Sequence, residues 1–238
     1  MSALMHAELL KLRTTRTFAA VVGTATVLSL VLVALGAILG AETNPHALFT
    51  NTSITYIIVL LGAVAMTGEW RHRTVTGSVL AAPDRVRLLA AKALAYAVAG
   101  IVLSLLVTVA TMLVGTLILD ARGETTLGVG GLADVLWRNL AVAALLGPLG
   151  VAVGALVRNQ IVTVVALIAM AAVLEPAIVQ VAPEVGRFGP LASVPEGVLG
   201  GPDTAALLAP GIALAVLAAW ALALFAAAAW RLRRRDLV

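Results

Sequence analysis

The sequence predicts an all-α membrane protein: six transmembrane helices, an N-terminal amphipathic helix on the inner membrane face, a polar inner loop between helices 2 and 3, and short helices dipping into the outer leaflet before helix 6. Three observations predict it. Hydrophobic residues make up 61% of the 238 and charged ones 12%, with a mean hydropathy of +1.07; a soluble domain holds about 45–50% apolar and about 25% charged residues. A surface so composed cannot be kept in water, which excludes a soluble enzyme. Five stretches free of Asp, Glu, Lys and Arg cover Thr17–Ala41, Thr43–Gly68, Ala93–Leu119, Asn139–Val157 and Thr204–Trp230, the shortest of them 19 residues, and Asn159–Pro183 holds one charge, Glu175. About 20 such residues cross roughly 30 Å of hydrocarbon as a helix. Third, with both termini inside, 13 of the 16 basic and four of the 12 acidic residues fall at the inner face, a net +9 there against −5 outside. That asymmetry follows the positive-inside rule and assigns the basicity to anionic inner-leaflet lipid, not to nucleic acid.

Residues 1–16 form the interfacial helix. At 100° per residue Met5, Leu9 and Leu12 share a face, flanked by His6 and Arg13 on one side and Lys11 on the other, the pattern of a lipid anchor. Residues 17–41 are the first span, too long an apolar run for a signal peptide despite the basic residues ahead of it. Gly36 and Gly40 make a small-xxx-small pair for close helix approach. The second span is 47–67. The inner loop, 68–91, reads Gly68-Glu69-Trp70-Arg71-His72-Arg73-Thr74, continues to Ala82, then turns at Pro83-Asp84. Pro83 ends one short helix and Asp84 caps the next, which runs into the third span, 92–119. Such a rigid elbow suits either a docking knob or a solvated turn.

The fourth span, 134–157, contains Pro148 between Gly147 and Gly150, which predicts a kink, and a second small pair in Gly150 and Gly154. In the fifth, 160–181, Glu175 is an ionisable group at membrane depth, suited to a proton relay or cation contact, or near enough to the helix end to reach the interface. Segment 182–204 carries Pro183, Pro190, Pro195 and Pro202, too broken to span and too apolar for a solvent loop. The sixth span is 205–230 and the tail 231–238. Trp70, Trp230 and Trp137 sit at span ends, where indole prefers the headgroups; mid-span Trp220 is assigned to packing.

Chemistry is largely excluded. There is no Cys, all three histidines (His6, His46, His72) fall outside the hydrocarbon, and neither lysine, Lys11 or Lys92, follows a glycine as a phosphate-binding loop requires. The chain holds no ATPase site of that kind and no metal or catalytic cluster at membrane depth.

Three stretches carry a resemblance: Glu8-Leu9-Leu10-Lys11-Leu12-Arg13-Thr14-Thr15-Arg16; the loop pattern Glu69, Arg73-Thr74, Leu80, Pro83, Arg85, Leu89, Lys92; and Arg234-Arg235-Asp236. In this order and spacing, with six spans, the chain resembles the permease subunit of a type-2 ATP-binding cassette exporter. The resemblance implies a subunit of the cell membrane with cytoplasmic termini, paired with a second, identical or paralogous permease. It implies a separate ATPase subunit that carries ATP and Mg, with no cofactor on this chain. The loop then holds a coupling helix, with Glu69, Trp70, Arg71, Arg73, Thr74, Pro83 and Arg85 as coupling residues and residues 1–16 as a connector. Spans 2 and 5 would line the substrate path, with Asn51, Thr52, Thr55, Tyr56, Thr163, Met170 and Glu175 along it, and 182–204 would be extracellular re-entrant helices. Multidrug efflux is one such activity; an apolar path suits a drug-like molecule, a lipid or a hydrophobic peptide. Two other readings are a proton-coupled secondary transporter using Glu175, whose expected internal repeat is not visible, and a membrane scaffold subunit without transport.

Overall fold

The computed structural model describes residues 2–14, 16–39, 45–50, 52–71, 84–200 and 207–234. Asn51, residues 72–83 of the inner loop (Arg73, Thr74 and Pro83 among them), and the Thr52 side chain lie outside the described residues. In chain order the elements are α1 (Ser2–Thr14), α2 (Arg16–Leu39), α3 (Pro45–Phe49), α4 (Thr52–Arg71), α5 (Arg85–Ala121), α6 (Val129–Val157), α7 (Gln160–Ala169), a π-helical turn (Met170–Leu174), α8 (Glu175–Val181), α9 (Pro183–Gly186), α10 (Ser193–Leu199) and α11 (Pro210–Arg234). Six are long and apolar enough to cross a membrane: α2, α4 with the end of α3, α5, α6, α7–α8 and α11. The protein is all-helical and multi-pass.

Helix α6 is the centre of the bundle, packing on α4, α5 and α11, while α2 leans on α5 and α7 on α4. Small residues explain why. A Cβ at Gly154 would come within 2.7 Å of the Ala63 carbonyl oxygen, and one at Gly100 within 2.8 Å of the Ala143 carbonyl; Cβ atoms at Gly62, Gly147 and Gly150 would strike the carbonyls of Gly147, Tyr96 and Val59. Between membrane helices there is little hydrophobic gain, so close backbone approach and dispersion supply the attraction. The small pair of α6 does this work; Gly36 instead meets the side chain of Leu48, and Gly40 lies outside the described residues. The helix runs through Pro148 without a break.

Helix α6 begins earlier than the expected span, at Val129 instead of 134, whereas α5 starts at Arg85, directly after the expected Asp84 cap, and runs unbroken into the third span. Asp84 caps α5, its Oδ1 accepting from the N–H groups of Val86 (3.0 Å) and Arg87 (3.1 Å). At 37 residues α5 is about 55 Å long, well beyond the roughly 30 Å of hydrocarbon, so its first turns stand outside the apolar layer. The fifth span is interrupted instead of uniform. Pro176 has no N–H for the Ala172 carbonyl, and the turn before it widens to a π-turn in which the Glu175 N–H donates to Met170. The added residue rotates the rest of the span by about 100°.

The Pro-rich connection holds two short helices, α9 and α10. Residues 191–195 and 197–199 are buried, with α10 seated against α11, α6 and α4. Gly200 closes it in the left-handed region (φ 76°).

Candidate functional site: a helix junction at the α1 end

Residues Glu69, Trp70 and Arg71 end α4 one after another, and because successive helical residues point about 100° apart each reaches a different neighbour. Glu69 Oε1 accepts from Lys92 Nζ of α5 (2.8 Å) and Lys11 Nζ of α1 (3.3 Å). The Trp70 ring lies under the Arg158 guanidinium, 4.5 Å from its centroid, a cation–π contact. Arg71 Nη1 donates to the Gln160 side chain at the start of α7 (3.3 Å). One helical turn thereby ties α4 to α1, α5, the end of α6 and α7.

A buried ion cluster lies at its centre. Lys92 Nζ lies 2.7 Å from Glu8 Oε2, and Lys11 Nζ lies 2.7 Å from Glu8 Oε1, so two ammoniums and two carboxylates interleave. Lys92 is 2% exposed and Glu8 4%. Burial pushes the Glu8 carboxyl up, yet Lys92 and Lys11 more than offset it and hold it below its ordinary value. For Lys11, burial pulls down while Glu8 and Glu69 together raise the ammonium above its ordinary value. The α1 face expected to lie on lipid is thus turned inward: Leu12 is buried, Met5 and Leu9 half-buried, and Glu8, one turn from Leu12, points at α5. A carboxylate cannot face lipid while an ammonium is available beside it.

The surrounding ties are polar contacts to helix-end carbonyls. Arg85 Nη1 donates to Leu232 (3.1 Å) of α11, and Arg231 donates to Leu156 of α6. Arg158 is the C-cap of α6 with φ 60°, alone among the described non-glycine residues in that region. A left-handed non-glycine residue is held by its surroundings; here its N–H donates to the Gly154 carbonyl (3.0 Å) and its guanidinium stacks on Trp70.

The opposite end is built differently. Glu175, 2% exposed, accepts from the backbone N–H groups of Leu191 (3.0 Å), Ala192 (2.7 Å) and Ser193 (3.3 Å). The π-turn aims it at the α9–α10 connection, whose backbone N–H groups surround it. A Cβ on Gly189 would sit 2.6 Å from its carboxyl carbon. Nearby, Arg138 bridges to Asp134 (2.7 Å) and donates to the Val198 carbonyl (3.1 Å), and Asn139 donates to Phe49 (3.1 Å). Trp220, assigned to packing, also donates its indole N–H to the Phe188 carbonyl (3.0 Å).

Of the residues placed along a path, Thr55 is buried in α4, and Tyr56 lines a cavity of about 140 Å³ with Val59, Leu60, Leu167 and Ile168. Thr163 is buried, its hydroxyl donating to the Asn159 carbonyl (2.7 Å). Met170 and Glu175 border a different cavity, of about 580 Å³. The structure therefore brings Tyr56 to the α4–α7 face and divides Met170 and Glu175 from it.

Reading the residues singly missed Glu8 and Lys11 as members of the junction, along with Arg158 and Gln160. The signal was present: Lys92 is the lone charge in the run Leu88–Leu119, and a lysine so placed needs a partner. Among the described residues no three His, Cys, Asp or Glu side chains group as a metal site.

Comparison with known proteins agrees with this architecture. A search of curated proteins found no match. The family description "ABC-2 family transporter protein" matches residues 4–174, from α1 through the junction and all but the last part of the fifth span. A match over that much of the chain, on a bundle of six helices long and apolar enough to span a membrane, places the protein in the ABC-2 transporter family.

Proposed function

We propose that this chain, a permease of an ATP-binding cassette transporter, is an exporter subunit that works as a dimer of permeases and is driven from the cytoplasmic face by a separate ATPase subunit carrying ATP and Mg. The α1 end is the cytoplasmic one. The observation that carries the reading is the Glu69-Trp70-Arg71 turn. It lies immediately before the loop that would dock the ATPase, and a force applied to that loop reaches α1, α5, α6 and α7 through contacts of 2.7–4.5 Å. Arg73, Thr74 and Pro83 are then the docking residues, with Arg85 holding the start of α5 to α11.

The path lies on the α2–α4–α7 side. Helices α2 and α7–α8 are the least buried spans, with 17% and 22% of their apolar windows covered against 56% for α6, so they leave apolar faces on both sides of α4 for a second permease. Tyr56 is the lining residue best placed for an apolar substrate, with Thr55 buried behind it. A proton-coupled carrier built on Glu175 is the weaker reading, since three backbone N–H groups already satisfy that carboxylate.

The natural chain has no cysteine, so one introduced by Arg73→Cys reports cleanly. The expected result is a crosslink to a co-expressed ATPase and, in intact cells, no reaction with an impermeant thiol reagent. Labelling from outside, or transport by the purified chain with no ATPase present, overturns the reading.

A further inference from the structure

Helices α7–α8 and α11 both pack on the central region of the bundle and scarcely on each other, and the gap between them is the cavity of about 580 Å³. Ligand sites run about 300–1,000 Å³, whereas close-packed interiors leave few voids larger than one water. Its floor is Leu149 of α6, fully buried, and one wall carries Leu167, 5% exposed. Its rim is open: Leu174 is 49%, Phe188 40% and Trp220 39% exposed.

The two polar groups on this surface are already engaged, Glu175 with the 191–193 backbone and Trp220 with the Phe188 carbonyl. An apolar cavity of this kind does not hold water. At membrane depth the matching occupant is hydrocarbon. At the α9 end of the cleft sits Arg187, its guanidinium 5.4 Å from the Phe188 ring centroid. Arg187 is paired at 2.5 Å with Glu184, whose side chain is 79% exposed, a solvent-facing pair of little strength. Its Nε–H is buried and has no partner among the described residues, so the guanidinium's terminal N–H groups are the ones that face outward. The other two arginines of this end are committed elsewhere, Arg122 to the Ile38 carbonyl and Glu124, and Arg138 to Asp134 and Val198. An arginine beside an apolar slot matches a phosphodiester joined to an acyl chain.

We propose that the cleft between α7–α8 and α11 binds one phospholipid of the adjacent leaflet, an acyl chain lying against Leu149, Leu167 and Leu174 and the phosphate on Arg187. The site is on the side of α7 away from Tyr56, and it stands whether or not the coupling scheme above is right.

The test uses the full chain in phosphatidylethanolamine vesicles containing phosphatidylglycerol with a diazirine midway along one acyl chain, photolysed and mapped by peptide mass spectrometry. Adducts are expected to concentrate on residues 166–178 and 220–224, above those on the lipid-exposed α2. Ala166→Trp, at the exposed rim, should remove the cleft adducts and leave those on α2, which also reports that the bundle is folded. Arg187→Gln should lower capture of the phospholipid probe but not of a diazirine diacylglycerol lacking phosphate. Adducts spread evenly over all spans, cleft adducts that survive Ala166→Trp, or cleft residues that crosslink to a second copy of the chain in place of lipid would each overturn the proposal. Equal loss of both probes in Arg187→Gln would overturn the phosphate contact.

Discussion

Two carboxylates are buried to nearly the same degree, Glu8 at 4% and Glu175 at 2% exposure, and the two ends of the bundle satisfy them by different means. Glu8 is neutralised by ammoniums on long, separate side chains, so its cluster links α1, α4 and α5 without fixing any backbone. Glu175 is held by three consecutive backbone N–H groups, which fixes the shape of the 189–193 connection and links only α8 to it. Side-chain ion pairs join elements that can move as bodies; backbone capture sets the conformation of a segment. The α1 end is therefore joined through side chains between separate helices, while the other end is shaped through its backbone.

The severest test of this contrast is loss of a central cation. Lys92→Met leaves the buried Glu8 and half-buried Glu69 with only the exposed Lys11 between them, and removing one partner of a buried network costs about 3–5 kcal/mol. Thermal unfolding in detergent should show a large fall, and the triple variant Glu8→Gln, Glu69→Gln, Lys92→Met should recover most of it. Unchanged unfolding in Lys92→Met would mean that the cluster is not a junction.

Next in size is Glu175→Gln. Its amide keeps one acceptor but turns an NH₂ group towards backbone donors, a cost of about 1–3 kcal/mol. Hydrogen exchange should speed up at Leu191, Ala192 and Ser193 while α4 and α6 stay protected. Global loosening would show that Glu175 supports the bundle and not the connection alone.

A pH titration probes the α1 end by itself. Burial raises the Glu8 carboxyl and the ammoniums of Lys92 and Lys11 lower it by more, so its stabilising share is complete above the ordinary carboxylate range and disappears as pH falls through the lowered value. Lys11 is shifted upward by Glu8 and Glu69 against the opposing pull of burial; its share is complete below the ordinary lysine range and is lost as pH rises through the raised value. Stability should therefore be flat across neutral pH and fall at both extremes, with the acid limb reduced in Glu8→Gln.

Smallest is Arg158→Gly. Glycine relieves the left-handed backbone of a cost of about 1–3 kcal/mol while the stacking lost on Trp70 is worth about 0.5–2 kcal/mol, so unfolding should hardly change. Coupled ATP hydrolysis, measured with the ATPase partner, should drop nonetheless, because the last turn of α4 loses its stacking contact with the C-cap of α6. Intact coupling would remove Trp70 from the relay.

Much of this was readable in advance. Asp84 after Pro83 marks a helix start, and Gly150 with Gly154 marks a face where another backbone must come close, because each depends on residues a few positions apart. Glu69 and Arg71 were recognisable by pattern. The pairing of Glu8 with Lys92 was not, since 84 positions separate them and α1 reads equally well as a lipid anchor until α5 is placed beside it. Glu175 was ambiguous for a related reason: its surroundings depend on a π-turn that a count of apolar residues does not register.

Length and hydropathy are enough to make this chain a six-helix membrane protein, because they dictate which segments can replace water with hydrocarbon while satisfying their own backbones. Which helix stands at the centre, which charges meet, and which face keeps a cleft were left to the packing of the folded chain. Those outcomes depend on side chains from distant segments competing for the same few ångströms.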